Sequence, residues 1–109
     1  MKRGTEGRLV LVTCGSASEA RRVAEGVVGR RLAACVNVLP RVRSIYRWRG
    51  RVERAEEYLL VVKTVRGRLG PLEREIHRLH SYEVPEFLVL PVERGSRAYL
   101  RWLRESARG

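Results

Sequence analysis

The stretch "CVNVLPRVRSIYRWRGRVERAEEYLLVVKTV", Cys35 to Val65, decides the fold. Cys35 to about Trp48 reads as one long strand interrupted at Pro40, where a ladder donor is missing and a bulge or an edge is expected. Gly50 marks the turn, and the segment from about Val52 to Val65, with its run "YLLVVKTV", returns as the second arm of a hairpin. Such a hairpin needs neighbours, and the flanking sequence supplies them. Upstream, Arg8 to Cys14 contains "LVLV", an unbroken aliphatic run that suits a strand buried on both faces. A helix follows. Ser16 and Glu19 have the capping-box spacing, and Ala20, Val23, Ala24, Val27 and Val28 form one apolar stripe, weakened by Gly26 and Gly29. Downstream, a second helix is expected from near Pro71 to near His80, with Leu69, Leu72, Ile76 and Leu79 inward. "EFLVLPVE", Glu86 to Glu93, is the fourth strand, and Ser96 caps a short last helix with Tyr99, Trp102 and Leu103 on one side.

The order βαββαβ plus a terminal helix predicts an α+β, ferredoxin-like sandwich: two helices on one face of a four-stranded antiparallel sheet. Its 109 residues are read as a single domain, 1–109, with residues 1–7 flexible. Three strands carry consecutive aliphatics, Leu9-Val10-Leu11-Val12, Leu59-Leu60-Val61-Val62 and Phe87-Leu88-Val89-Leu90, so apolar side chains leave the sheet on both faces. Two helices cover only one. The other face is expected to meet further copies of the chain.

A formal charge of +11 attracts phosphate backbones nonspecifically. The cations are nearly all arginine, with only Lys2 and Lys63 as lysines, and they are spread along the chain instead of forming one basic arm. Nucleic acid is therefore not the expected partner. No apolar run is long enough to span a bilayer, and Met1 to Gly7 does not lead into a signal-peptide core, so no membrane association is expected and a cytoplasmic location is. Cys14 and Cys35 form no CxxC motif, and a cytosolic chain is not expected to cross-link them.

The chemistry-bearing residues gather in "HSYEVPE", His80 to Glu86. In the expected topology the first strand and second helix end at the edge where the fourth strand begins, which places Cys14, His80, Glu83 and Glu86 in one neighbourhood. A thiol, an imidazole and carboxylates make a mixed donor set suited to copper or zinc. The plainer reading has His80 bonding carbonyls at a helix C-terminus, Cys14 as a small buried residue, and Tyr82 and Pro85 fixing a turn. Tyr46 and Trp48 alternate with Arg43, Arg47 and Arg49 along the hairpin. That pattern suits a stacking platform for nucleic acid or an interface between subunits; the aliphatic central strands favour the interface. Lys63, alone in an apolar run, is expected to find a carboxylate across a subunit cleft. An enzyme is not expected, because Arg21 lies one residue too far from Cys14 for the C-x5-R thiol phosphatase loop and no second acid is evident.

"RLAACVNVLPRVRSIYRWRG" (Arg31 to Gly50), "EEYLLVVKT" (Glu56 to Thr64), "HSYEVPEFLVLPV" (His80 to Val92) and "YLRWL" (Tyr99 to Leu103) resemble the CutA family of divalent-cation tolerance proteins. The resemblance runs from about Leu9 to Leu103. It implies a ferredoxin-like fold assembled as a compact, PII-like homotrimer through sheet-to-sheet packing, and an association with copper and other divalent cations. His80 matches a histidine of the family motif, while Leu79 stands where some relatives have a second one; Cys35 matches the cysteine of "AAC" but lies at the opposite end of the subunit from Cys14. The expected function is a trimeric, cytoplasmic divalent-metal (copper) binding protein in metal-ion tolerance, with His80, Cys14, Glu83 and Glu86 as metal candidates. Tyr46, Trp48, Lys63, Tyr82 and Trp102 are the expected trimer interface or cleft. A PII-like sensor of small ligands or proteins is the alternative, ahead of an RNA-binding module.

Overall fold

The structure, a computed structural model, describes residues 4–108. The elements are β1 (Gly7–Cys14), α1 (Ala17–Gly29), β2 (Cys35–Trp48), β3 (Arg51–Val65), a 3-10 turn (Arg66–Arg68), α2 (Leu69–Leu79), β4 (Leu88–Pro91) and α3 (Arg97–Ser106). The strands form one sheet in the order β2-β3-β1-β4 with every pairing antiparallel, the ferredoxin-like arrangement plus one helix. β4 is shorter than Glu86 to Glu93. Glu86 and Phe87 leave the ladder, and beyond Pro91 only Val92 still donates its N–H to Gly7, at 3.1 Å. Of the segment 1–7 expected to be flexible, residues 1–3 lie outside the described residues. Thr5 gives both its N–H and its hydroxyl to the Val92 carbonyl, at 3.1 and 2.8 Å, and Gly7 already belongs to β1.

Alternation along the strands sorts the residues into two faces. Val10, Val12, Cys14, Leu60 and Val62 point to the helices and are fully buried against Ala20, Val23 and Val27 of α1 and Leu72 and Ile76 of α2. Each large aliphatic side chain withdrawn in this way contributes about 1.5–3 kcal/mol. Thr64 continues that row; its hydroxyl donates to the Leu32 carbonyl at 2.7 Å and so stays satisfied in the core. Gly26, poor for helix propensity, has a reason here: a Cβ would sit 3.0 Å from Leu79 Cδ1, so its absence lets α1 and α2 close.

The opposite face carries Leu9, Leu11 and Thr13 of β1, cross-strand partners of Lys63, Val61 and Leu59 of β3. Among the described residues no long helix covers it. α3 buries only Leu103 fully and leaves Tyr99 and Trp102 half exposed, and all of β4 is exposed, Leu88 at 57%. On the same face Leu39 of β2 and Leu90 of β4 are exposed at 41% and 42%. The second apolar face expected from the sequence is thus present.

β2 and β3 change register once. Leu39 pairs with Leu59 and Val42 with Glu57, so β2 uses one residue more than β3 there, beside Pro40 and with Arg41 at φ 56°. Cys35, Asn37 and Leu39 therefore share a face with Val42, Ser44, Tyr46 and Trp48. A two-residue turn, Arg49 at φ 51° and Gly50 at φ 79°, closes the hairpin.

Candidate functional site

A cleft of about 630 Å³ opens where β1 ends, between the hairpin and the loop from His80 to Phe87. Thr13 and Glu57 come from the open sheet face, and the β2 bulge turns Ser44, Tyr46 and Trp48 to the same side; Tyr82 to Glu86 form the other wall. The Tyr82 hydroxyl donates to Glu57 Oε2 at 2.6 Å. Burial first, then the bond and charge of Glu57, hold this phenol well above its ordinary value, so it remains a donor. Glu57 is 7% exposed. Glu86 is raised too, by burial first and then by the Glu57 charge. Among the described residues neither carboxylate forms an ion pair with an arginine or lysine, in a chain with 23 of them. Glu83 stands at the mouth, 3.7 Å from Arg49 Nη2, and the Arg49 guanidinium lies 5.6 Å from the Trp48 ring centroid.

The raised Glu86 has a consequence for stability. The folded carboxyl binds its proton more tightly than the unfolded one, so its ionisation destabilises the fold, increasingly as pH rises from the ordinary carboxyl range through the raised value and constantly above it. Glu86→Gln is expected to melt higher than the parent chain at neutral pH and to lose that advantage in acid. Calorimetric melting at both pH values checks this; an advantage that is absent, or larger in acid, contradicts it.

Behind the cleft lies a polar layer that fixes the loop. His80 has a fully buried side chain, with Nε2 2.6 Å from the Thr13 carbonyl and Nδ1 accepting the Tyr82 N–H at 3.0 Å. Those partners assign the proton to Nε2 and the lone pair to Nδ1. Glu19, on the first turn of α1, receives the Ser81 N–H at 2.5 Å and the Ser81 hydroxyl at 3.1 Å, and lies 3.6 Å from His80 Nδ1. Ser16 caps α1 as its spacing predicts, accepting the Glu19 N–H at 3.2 Å. The Glu19 carboxylate, however, is committed to the loop 62 residues away. Cys14 is fully buried on the helix side; burial first, then Glu19 and Glu57, push its thiol up to about 12. At neutral pH it is not the thiolate that metals take.

Of the four metal candidates, Glu83 and Glu86 line the cleft, while His80 and Cys14 sit behind it. Among the described residues no three His, Cys, Asp or Glu side chains converge as a ligand group. The reason is local: both imidazole nitrogens are committed, and the thiol faces the core. Tyr46, Trp48 and Tyr82 are at the cleft as well. Lys63 and Trp102 are not; the Lys63 ammonium lies 5.9 Å from the Tyr99 ring centroid, and Trp102 packs on Tyr99 at 5.3 Å. Cys14 pairs with Tyr58 and Cys35 with Lys63 on the β3 ladder, so the two free cysteines are well separated along the sheet. Sequence reasoning overlooked Glu57 and Glu19. Glu57 was readable by its parity with Leu59 and Val61, which puts an acid on the apolar face.

Residues 8–106 match the family described as CutA1 divalent ion tolerance protein. The divalent-cation tolerance protein CutA of Thermus thermophilus is 47% identical over 98 residues, covering 90% of this chain and 95% of that one. A chloroplastic CutA of Arabidopsis thaliana is 40% identical over 100 residues, covering 92% of this chain but 55% of its own length, so this chain spans about half of that relative. The solved structure of a divalent cation tolerance protein from Thermus thermophilus superposes with a TM-score of 0.90 at 46% identity, over 92% of this chain and 97% of that one.

Proposed function

Because the chain belongs to the CutA1 divalent ion tolerance family, we propose that it acts as a homotrimeric, cytoplasmic divalent-metal-binding protein in metal-ion tolerance, with copper(II) its tightest cation. The carrying observation is the pair Glu57 and Glu86: two carboxylates withdrawn into a cleft, one raising the pKa of the other, with no cationic side chain in an ion pair with either among the described residues. A divalent cation supplies the missing charge. Two carboxylates fall short of a full coordination shell, and a neighbouring copy laid on the open sheet face brings further donors to the cleft. Copper(II) heads the affinity order for any such set of oxygen and nitrogen donors. Glu83 extends the acidic mouth; His80 and Cys14 form the frame behind it. For the location, no helix among the described residues is long and apolar enough to cross a membrane. The role is binding and not catalysis, since the Cys14 sulfur stays a thiol turned away from the cleft.

Calorimetric titration with copper(II), zinc and manganese tests the reading. Glu57→Gln and Glu86→Gln should each lose at least about tenfold in copper affinity, the scale on which even outer-shell changes act. Retained affinity in both, with loss in His80→Ala, would move the metal to the imidazole; absence of divalent binding would end the proposal. One observation favours a second reading, a small-ligand sensor: at about 630 Å³ and with Tyr46, Trp48 and Tyr82 in its walls, the cleft has room for an organic molecule. A thermal-shift panel of nucleotides and amines addresses it.

A further inference from the structure

On the helical side, away from the cleft and the open sheet face, a second concavity of about 510 Å³ is walled by Arg30, Arg74 and Arg78 around Glu75, with Leu32 and Pro71 also lining it. Glu75 is held in place: its side chain is 10% exposed and takes both Arg78 Nε and Nη2, at 3.1 and 2.6 Å, while Arg30 Nε approaches to 3.4 Å. This bidentate fork fixes the Arg78 plane and leaves its third nitrogen, Nη1, uncommitted to Glu75; Arg30 likewise approaches through Nε. Arg74 forms no ion pair among the described residues. Three guanidinium charges against one carboxylate leave two positive charges in a single concave site. Gathering like charges without a full set of counter-charges is unfavourable unless an anion joins them.

We propose that this concavity binds a phosphomonoester. The dianionic phosphate matches the two unbalanced charges, the planar guanidinium forks match its oxygens, and Leu32 and Pro71 receive the carbon part of the ester. Glu75 acts as an internal template that orders Arg78 and Arg30 before the ligand arrives, which lowers the ordering cost of binding. The site shares no residue with the metal cleft and lies off the face proposed for assembly, so its success or failure is independent of the metal reading.

The test is isothermal titration of the full chain with inorganic phosphate and with phenyl phosphate, beside co-sedimentation with phosphatidylcholine vesicles with and without phosphatidic acid. Arg74→Gln is compared with Arg21→Gln, which removes an exposed arginine of α1 outside the concavity, after both variants are shown to melt like the parent. Saturable binding of one phosphate per chain, weakened about tenfold or more by Arg74→Gln and little by Arg21→Gln, supports the site. Phenyl phosphate binding in solution identifies a free ester, and sedimentation only with phosphatidic acid vesicles identifies a lipid headgroup, provided the same variant contrast holds. Equal loss in both variants, or binding confined to long nucleic acid at low salt, reports only the net charge and overturns the proposal. So does the absence of binding to every probe.

Discussion

Replacing Glu19 with alanine is expected to cost about 2–4 kcal/mol of stability and to loosen the wall of the metal cleft at the same time. The carboxylate is 5% exposed and accepts two hydrogen bonds from Ser81, each of the charge-assisted kind, beside the buried His80 ring. Alanine leaves the Ser81 N–H without its acceptor and removes the link between α1 and the loop that carries Tyr82, Glu83 and Glu86. Glu19→Gln keeps one oxygen for the Ser81 N–H and should lose less. Urea denaturation of the three proteins at one fixed concentration measures the order, since assembly makes stability depend on concentration. Copper titration should show the same order. An alanine variant with the parent's urea midpoint would show that the latch contributes nothing.

The second large effect concerns assembly. Val61 lies on the open sheet face, opposite Leu11 on one central strand pair and opposite Asn37 on the other. Val61→Glu sets an unpaired carboxylate in the middle of the surface proposed to meet other copies. Burying it there costs several kcal/mol, enough to break an assembly while the protomer core on the far side of the sheet is untouched. Light scattering should fall from the mass of three chains to that of one, with the far-ultraviolet circular dichroism of the fold retained. A variant that scatters like the parent would remove this face from the interface, and a parent chain that scatters as one protomer would remove the trimer.

The sequence spoke most clearly where a local rule had no competitor. β2 begins and ends where its pattern does, at Cys35 and Trp48, and the interruption at Pro40 is a register shift because proline cannot donate to the ladder. Ser16 and Ser96 both cap their helices, accepting from Glu19 N–H and Tyr99 N–H, since a short polar side chain before an apolar stripe has few other uses. Long-range placement was harder to read. The spacing of Glu19 from Ser16 suggests a local capping box, but its carboxylate bonds Ser81, a contact that only the packing of α1 beside the end of α2 creates. The topology does bring His80 and Cys14 near one another, yet whether a ring nitrogen or a sulfur faces a cleft depends on hydrogen bonds and strand parity across the sheet. Glu57 differs in that its parity with Leu59 and Val61 already puts it on the apolar face; what the sequence hides is its bond to Tyr82, 25 residues away.

The extra residue in β2 acts like one added tooth in a zipper. Were Arg41 to take a regular place in the ladder, opposite Glu57, every residue beyond it would mesh one place out of phase, carrying Arg43 and Arg47 to the side now held by Ser44, Tyr46 and Trp48. The strand would keep all its amino acids, but the acids of the cavity would then be quenched by the protein's own guanidinium groups. A change that irons out the bulge without removing a residue would switch the tip of the hairpin between a receptor for outside cations and a surface already neutralised from within, whereas deleting Arg41 would leave Val42 opposite Glu57.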